Sequence, residues 1–309
     1  MEKPFYILSI DGGGYRGIYA AHLLKRIKEE FRVDWLNDFG LITGTSTGSI
    51  IASGLVSEIP IENIIKLYED LGSIIFKKSC WPRCGFFSSK FESDLLGAEL
   101  AKFFKEKKLG DIKFPLIIPS TDIGNGRVHV FKTAYDSRFL RDKEVLMKDA
   151  ILASCSAPTY FNPHPVKPYL LADGGMWANN PSLVATIDAK KRLGICLDDV
   201  RVLSIGCGKG NSFYPYPTKI VPWIDKIWGW GFLSKWKRNK FIDMLLNLQS
   251  ESATNMLGLL LNPGQVLRIN FDSDQKLALD DPEDKDRLIA KADFDFTHLS
   301  ADIKVFLNK

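Results

Sequence analysis

The chain is poor in cysteine, with five in 309 residues, and the number is odd. A small secreted protein held together by disulfides would carry a higher share of cysteines and an even number of them. The sequence therefore predicts reduced thiols in a cytosolic protein. Cys80 and Cys84 lie close together, but no second Cys or His pair at zinc-ligand spacing accompanies them. We expect both to be structural thiols rather than metal ligands.

Long apolar runs are also missing. The first run, Phe5–Ile10, is too short for the apolar part of a secretion signal, and the best later candidate, Met256–Leu261, is too short to span a bilayer. Neither sign of charge is in large excess, since 41 Lys and Arg against 37 Asp and Glu give a formal net charge of +4. This balance gives no reason to expect a nucleic-acid polymer as a partner, but it permits docking on an anionic membrane.

Apolar segments alternate with helix-like segments over most of the chain. The predicted strands are apolar throughout rather than alternating, which is typical of parallel strands covered by helices on both faces. These strands are Phe5–Ile10, Phe39–Thr43, Pro115–Ser120, Val128–Thr133, Tyr169–Ala172, Val200–Ile205 and Gln265–Phe271. The predicted helices are Ile18–Phe31, Ser49–Val56, Ile61–Phe76, Glu92–Lys107, Glu144–Ser154, Pro181–Arg192, Asn239–Leu261, Asp284–Ala292 and Thr297–Leu307. We expect an α/β fold with a mainly parallel central sheet in a single domain, 1–309, with 211–309 as a C-terminal extension packed on it.

The pentapeptide Gly44-Thr45-Ser46-Thr47-Gly48 follows a predicted strand and precedes a helix of small residues. This context fits the G-x-S-x-G nucleophile elbow, in which the serine occupies a strained turn. Glycine two positions before and after removes the Cβ atoms that would collide there. The pattern predicts Ser46 as a nucleophile at a helix N-terminus, with the backbone N–H of Thr47 facing a developing oxyanion. A glycine-flanked turn without chemistry is the alternative.

A second glycine-rich loop, DGGGYRG at 11–17, lies at another predicted strand-to-helix junction. Successive glycines can point several N–H groups into one concavity, and Arg16 adds positive charge, so the loop can hold an oxyanion or a phosphate. The same residues match the G-x-G-x-x-G dinucleotide fingerprint, which requires an acidic residue about twenty positions further on, at the end of a strand. Asp34 and Asp38 lie near that distance, but neither ends a convincing strand. The dinucleotide interpretation is therefore the weaker alternative.

Asp173 ends a third apolar strand and is followed by two glycines. A carboxylate with small neighbours at a strand end can approach a hydroxyl at a neighbouring strand end, although aspartate before glycine is also a common turn residue. A Ser-His-Asp hydrolase of the α/β class needs a histidine after the acid. Only His298 follows Asp173, and a helix is predicted to begin there. We expect His22, His129, His164 and His298 all to be structural.

Taken together and in this order, the loop at 11–17, the elbow at 44–48 and Asp-Gly-Gly at 173–175 resemble the patatin-like phospholipase family. The segments ASCSAPTYF at 153–161 and DGGMWANNP at 173–181 are similar to that family as well. The resemblance covers about residues 5–210, and no recognised motif covers 211–309.

The resemblance implies a three-layer, patatin-like fold and a Ser-Asp dyad that works without histidine, metal or other cofactor. Ser46 would be the nucleophile and Asp173 its general base. The oxyanion would be stabilised by the loop amides and arginine, namely Gly12, Gly13, Gly14 and Arg16. The implied reaction is hydrolysis of fatty acyl esters of membrane phospholipids through an acyl-enzyme.

Two aromatic and basic segments lie outside these motifs. Tryptophan favours the membrane–water boundary and lysine favours anionic head groups, so we expect these segments to contact the membrane or to form a lid. Packing in the core or at a protein interface is the alternative. Their tryptophans are Trp81 in the loop 77–90, and Trp223, Trp228, Trp230 and Trp236 in the segment 219–240. We therefore expect a cytoplasmic protein that binds peripherally to the inner membrane when it is active.

The chain also resembles patatin-like phospholipases of bacterial anti-phage signalling, which a cyclic nucleotide switches on. A cyclic nucleotide, for example a cyclic dinucleotide, is therefore an expected activator, although no sequence element identifies its site. Two further functions stay open. An acyltransferase would share the elbow, but such enzymes usually carry histidine where this chain has Thr45. A sensor would bind a nucleotide phosphate with Gly12–Gly17. The sequence leaves the oligomeric state open.

Overall fold

The computed structural model describes residues 4–75, 89–210, 238–273 and 278–309. The fold is built on a sheet of eight strands. Seven of them follow the order β5-β6-β3-β2-β1-β7-β8, and the eighth, β4, pairs with β3. The strands are β1 (Phe5–Ile10), β2 (Leu41–Gly44), β3 (Leu116–Asp122), β4 (Arg127–Lys132), β5 (His164–Val166), β6 (Tyr169–Asp173), β7 (Val200–Ile205) and β8 (Val266–Ile269).

The part of the sheet that carries the predicted motifs is parallel. β1 pairs in parallel with β2 and β7, β2 with β3, and β7 with β8. Ile10 pairs with Gly44 on one side and with Ile205 on the other, so the glycine-rich loop and the elbow leave the sheet at the same edge. β4, β5 and β6 run antiparallel to their neighbours. The predicted mainly parallel sheet is confirmed.

Helices pack on both faces of this sheet. They are α1 (Gly17–Phe31), α2 (Trp35–Asp38), α3 (Thr47–Val56), α4 (Ile61–Ile74), α5 (Ser93–Phe104), α6 (Met147–Cys155), α7 (Gly175–Ala178), α8 (Ser182–Asp188), α9 (Arg238–Leu260) and α10 (Lys285–Leu307). A π-helical turn, Ala189–Leu193, continues α8. The alternation of helices and strands read from the sequence is confirmed, with boundaries shifted by a few residues.

The apolar strands supply two cores because successive side chains point to opposite faces of a sheet. Leu8 and Ile42 belong to a large cluster with α1, α3, α4, α5, α6 and α10. Their neighbours Ile7 and Leu41 belong to a second cluster with α8 and with Leu257 near the end of α9. Two buried faces explain why these strands carry apolar residues on both faces rather than at alternate positions, and they produce a three-layer arrangement.

The described parts of the C-terminal extension, 238–273 and 278–309, belong to this architecture. β8 pairs in parallel with β7 at the edge of the sheet. The sequence predicted two helices separated at 293–296, and this prediction is wrong because α10 is continuous. Within the supposed break, Asp295 accepts hydrogen bonds from Lys291 at 2.7 Å and from the Tyr19 hydroxyl at 2.8 Å, and Phe296 is buried. One bond within the helix and one to α1 thus stabilise the Asp-Phe-Asp-Phe stretch as helix.

The sequence missed several short elements, among them α2. The Asp34 side chain accepts hydrogen bonds from the N–H groups of Leu36 and Asn37 at 3.1 and 3.2 Å, which caps the N-terminus of this one-turn helix. Asp34 was considered above as the acidic residue of a dinucleotide fingerprint, and its capping role accounts for it without a nucleotide. β5 and α7 were also missed, since each has only three or four residues.

Candidate active site

Ser46 joins β2 to α3 with φ 51° and ψ −126°, a region that L-amino acids rarely occupy. A Cβ atom on Gly44 would overlap the carbonyl group of Gly48, and one on Gly48 would overlap the carbonyl oxygens of Ile10 and Asp11. Glycine is therefore required at both positions by the close approach of the backbone. This is the strained turn that the G-x-S-x-G pattern predicts, and it places Ser46 at the N-terminus of α3.

The pairing of β3 explains how Ser46 and Asp173 meet. Ile117 of β3 pairs with Lys132 of β4 on one side and with Thr43 of β2 on the other. Further along β3, Ser120 again has β4 on one side, but on the other it pairs with Asp173 of β6. β2 and β6 therefore share one edge of β3 and run toward each other. The chain leaves β2 for the elbow just where β6 ends, so both catalytic candidates reach the same point.

The Asp173 carboxyl is buried beside the nucleophile. Burial raises its pKa to about 6, because a charged carboxylate is poorly solvated there. Hydrogen bonding by the Ser46 hydroxyl and by the N–H of Gly175 acts in the opposite direction, the latter bond measuring 2.6 Å. At neutral pH Asp173 is thus a carboxylate with a hydroxyl proton within reach, and its pKa lies close to the range in which a general base works well.

Two further serines hold the elbow in place. The hydroxyl of Ser154, on α6, accepts a hydrogen bond from the backbone N–H of Ser46 at 2.9 Å and donates to the carbonyl of Pro119 at 2.6 Å. The hydroxyl of Ser49 donates to the carbonyl of Ser46 at 2.6 Å. Both the backbone N–H and the backbone carbonyl of Ser46 are therefore held by hydrogen bonds. Sequence reasoning missed these roles because neither serine lies in the pentapeptide.

The glycine-rich loop lies against the nucleophile, but its three glycines differ in function. Gly12 N–H donates to the carbonyl of Asn179 at 3.0 Å, so the prediction that this amide serves the oxyanion is wrong. Gly13 and Gly14 line the cavity in front of Ser46, and no acceptor among the described residues binds their N–H groups. Gly14 has φ 60°, where a side chain would be strained, and its Cβ would overlap the backbone of Leu279. These two amides are the donors available for an oxyanion.

Arg16 holds the glycine-rich loop through hydrogen bonds to its backbone. It does not line the cavity, and its Nε and backbone N–H each donate to the Gly13 carbonyl at 3.3 Å. The predicted contribution of Arg16 to stabilising the oxyanion stays a prediction. The two sides of a trans peptide unit carry C=O and N–H in opposite directions. By holding the Gly13 carbonyl, Arg16 turns the N–H of Gly14 the other way.

Thr47 follows the nucleophile and lines the cavity. Its hydroxyl and carbonyl are both hydrogen-bonded to the buried Tyr68 hydroxyl, at 2.5 and 2.7 Å. Its backbone N–H lies in the first turn of α3, where helix amides have no intrahelical acceptor. The predicted role of this N–H toward an oxyanion stays a prediction. Tyr68 was not foreseen, since nothing in its local sequence links it to the elbow.

A cavity of about 300 Å³ opens in front of Ser46 and Asp173. Volumes from this size upward are typical of ligand sites. Its wall is mostly apolar and comes from six helices as well as from the loops. The apolar wall residues include Ile50, Leu71, Ile75, Leu96, Pro158, Tyr160, Phe161, Met176, Ile242, Leu245 and Leu246. Such a wall suits a hydrocarbon chain held next to the nucleophile.

The histidines and the cysteine considered as reactive groups do not take part in the chemistry of this site. None of the four histidines lines this cavity, which agrees with their structural interpretation. Cys155 does line it, but burial and then the charge of Asp173 raise the pKa of its thiol, so it stays protonated and is a poor nucleophile. Within the described ranges no three His, Cys, Asp or Glu side chains are grouped as metal ligands, and no helix there has the length and apolarity of a membrane span.

The predicted membrane or lid residues lie outside the described residues. They are Trp81, Trp223, Trp228, Trp230 and Trp236. The two neighbouring cysteines, Cys80 and Cys84, lie outside as well. These predictions therefore stay as they were made from the sequence.

Comparison with known proteins gives a consistent result. A family model described as patatin-like phospholipase matches residues 8–186. A cGAMP-activated phospholipase of Pseudomonas aeruginosa is 32% identical over 257 residues, which cover 82% of this chain and 74% of that protein. A protein of the same name from Vibrio cholerae is 31% identical over 261 residues, which cover 75% of this chain and 72% of that protein.

Among solved structures, VipD from Legionella pneumophila has the same fold. The match has a TM-score of 0.52 at 14% sequence identity and covers 96% of this chain. It covers 66% of the VipD chain, so the present chain spans slightly less than two thirds of that protein. At this identity the likeness concerns the fold alone.

Proposed function

This chain belongs to the patatin-like phospholipase family of hydrolases, and we propose that it cleaves fatty acyl esters of membrane phospholipids with Ser46 as nucleophile and Asp173 as general base. The observation that carries this proposal is the arrangement of β2 and β6 along β3, which brings a strained, glycine-flanked serine to a buried carboxylate in an apolar cavity.

The first half of the reaction forms an acyl-enzyme. Asp173 accepts the hydroxyl proton of Ser46 while the Ser46 oxygen attacks the ester carbonyl carbon. The carbonyl oxygen becomes negatively charged and receives hydrogen bonds from the N–H groups of Gly13 and Gly14 and from that of Thr47. When the tetrahedral intermediate collapses, the bond to the alcohol breaks and Asp173 returns its proton to that alcohol.

The second half releases the fatty acid. Asp173 takes a proton from water as the water oxygen attacks the acyl carbon on Ser46. The same amides stabilise the second tetrahedral intermediate. The bond to the Ser46 oxygen then breaks, and the proton held by Asp173 goes back to that oxygen. No step calls for a histidine.

Peripheral contact with the bilayer is supported by apolar residues exposed at the cavity. Met176 is 53% exposed and Leu245 is 48% exposed, and both also line the cavity. Leu248, one turn beyond Leu245 on α9, is 56% exposed. Exposed apolar side chains next to a lipid-binding cavity are typical of an interfacial contact. The enzyme would rest this rim on the membrane to take up its substrate.

A matched pair of variants tests the rim. Leu248→Gln should reduce co-sedimentation with phosphatidylglycerol-containing vesicles and slow hydrolysis of vesicle lipid, while hydrolysis of a short, water-soluble ester stays near wild type. Val305→Gln is the control, because Val305 is 77% exposed on α10 and does not line the cavity in front of Ser46. Equal vesicle binding by both variants and the wild type would remove α9 from the membrane contact.

Activation by a cyclic nucleotide is proposed from the relatives named above, whose names state activation by cGAMP. A role in anti-phage defence, in which activation damages the host membrane, follows from the same resemblance. The alternative nucleotide sensor that would use Gly12–Gly17 has less support. In the structure the Tyr15 N–H of this loop donates to the carbonyl of Leu279, and Gly13 and Gly14 face Ser46.

The experiment is release of fatty acid from phospholipid vesicles by wild type and Ser46→Ala, with and without cGAMP and other cyclic dinucleotides. We expect release by the wild type that the variant lowers by at least about a thousandfold, since the nucleophile is lost. Dependence on one nucleotide would establish the activator. Transfer of the acyl group to an added alcohol or thiol without free acid would favour the acyltransferase. Equal release by Ser46→Ala would refute the proposal.

A further inference from the structure

α9 lies outside the region that the family model matches, yet it touches both catalytic loops. The hydroxyl of Ser250, in the middle of α9, accepts a hydrogen bond from the side-chain amide of Asn179 at 3.0 Å. The same hydroxyl donates to the carboxylate of Asp11 at 3.4 Å. Asp11 opens the glycine-rich loop, and Asn179 follows Asp173 by six residues. One buried hydroxyl therefore connects the two loops.

Asn179 carries that connection to the oxyanion donors. Its backbone carbonyl accepts the N–H of Gly12 at 3.0 Å, and its side-chain oxygen lies so close to Gly12 that a Cβ atom there would collide with it. Asn179 also lines the cavity. A shift of Asn179 would therefore move Gly12, and with it the adjoining Gly13 and Gly14.

The other end of the bridge is fixed by an ion pair between the buried Asp11 and the half-buried Arg268. Arg268, on β8, donates to the two oxygens of the Asp11 carboxylate at 2.8 and 2.5 Å and to the hydroxyl of Ser204 at 2.8 Å. This bidentate geometry restricts the orientation of Asp11, and hence the lone pair that Ser250 can reach. Arg268, like Ser250, belongs to the C-terminal extension.

Two more hydrogen bonds hold α9 in register with the loop after Asp173. The backbone N–H of Asn180 donates to the side chain of Gln249 at 2.8 Å, and its side-chain amide donates to Thr254 at 3.2 Å. Ser250 lies between these contacts, so the bridging hydroxyl has little freedom to move. The helix is thus bound to the site at several adjacent points.

We propose that Ser250 is a positioning residue of this enzyme, which sets the distance between the oxyanion amides of Gly13 and Gly14 and the Ser46–Asp173 pair. The inference rests on the proposed hydrolase function. Because the two loops come from strands far apart in sequence, the residue that joins them controls their relative placement. It follows that the active site is completed by the C-terminal extension rather than by the matched family region alone.

The test compares Ser250→Ala with Ser252→Ala, a control two residues away on the exposed side of α9. With a water-soluble ester we expect Ser250→Ala to lower kcat about tenfold, less than the loss of a direct oxyanion donor, with KM within a factor of two. The midpoint of the pH profile should not move, because Asp173 is untouched. Ser252→Ala should behave as wild type. A wild-type kcat for Ser250→Ala, or an equal loss in the control, would overturn the proposal.

A double-mutant cycle separates this inference from the proposed function. Ser250→Ala, Asn179→Ala and the double variant are compared in kcat and, independently, in the free energy of unfolding. Residues joined by a hydrogen bond should be non-additive in both, with the double variant little worse than Asn179→Ala. If the wild type shows no Ser46-dependent hydrolysis, the proposed function fails while the unfolding cycle still tests the bridge. Additive effects in unfolding would show that Ser250 and Asn179 are not coupled.

Discussion

The carboxyl of Asp173 decides how activity depends on pH. Its pKa of about 6 comes from burial, and the base works only as the carboxylate. We predict that kcat/KM for a soluble ester is constant above about pH 7 and falls as pH decreases through 6, to about one tenth at pH 5. A pH–rate profile measures this. A midpoint near 4, as for an exposed aspartate, would contradict the buried-base account.

Ser46 and Asp173 could be proposed from sequence because each stands at a local signal, a glycine-flanked turn and a strand end, and because the motifs in this order resemble the family. The residues that support them could not. Ser154, Tyr68 and Asn179 act through partners far away in sequence, and their own surroundings contain no pattern for that role. The same limit explains the error on Gly12. The loop composition indicates available amides and charge, but not which of them other backbone groups already bind.

At the level of elements, the elbow depends on the close approach of α3 to the end of β1. Gly48→Ala would drive a methyl group into the carbonyl oxygens of Ile10 and Asp11. We predict loss of activity by at least about a hundredfold and a lower melting temperature, because backbone atoms cannot move aside as a flexible side chain can. Gly258→Ala is the matched control on α9, where nothing lies within 4 Å of the added Cβ.

For the control variant Gly258→Ala we expect a small gain in stability. Gly258 lies in the last turn of α9, so alanine there should raise the free energy of unfolding by at most about 0.5–1 kcal/mol, the value for a helix interior, with activity unchanged. Thermal or chemical unfolding of both variants, together with ester hydrolysis, provides the comparison. An active, stable Gly48→Ala would show that the elbow is less crowded than described.

Most elements were predictable because apolar, doubly buried strands and amphipathic helices have distinct periodicities. Strand direction was not, since β6 runs antiparallel to β3 and no local pattern encodes that pairing. It is this reversal that brings Asp173 to Ser46. The continuity of α10 was also missed, because Asp295 in its acidic middle is held by Tyr19 of α1 as well as by Lys291 of the same helix.

At the scale of the whole molecule, the Asp11–Arg268 ion pair links the end of β1, the first strand of the chain, to β8, the last strand of the chain. Asp11 is buried and Arg268 half-buried, so removal of the arginine would leave an unpaired buried carboxylate. We predict that Arg268→Ala lowers the free energy of unfolding by about 3–5 kcal/mol. Lys25→Ala breaks an exposed pair with Glu29 on α1 and should change stability little. Equal stability of the two variants in urea unfolding would contradict the structural role of the pair.

The central claim, that Asp173 activates Ser46 as the nucleophile, is tested most directly by covalent labelling with a fluorophosphonate followed by peptide mapping. The account predicts a single label on Ser46, formed at a rate that falls as pH drops below about 6 and is lowered at least about a hundredfold in Asp173→Asn. A label on another residue, or labelling of Ser46 in Asp173→Asn at the wild-type rate, would contradict it.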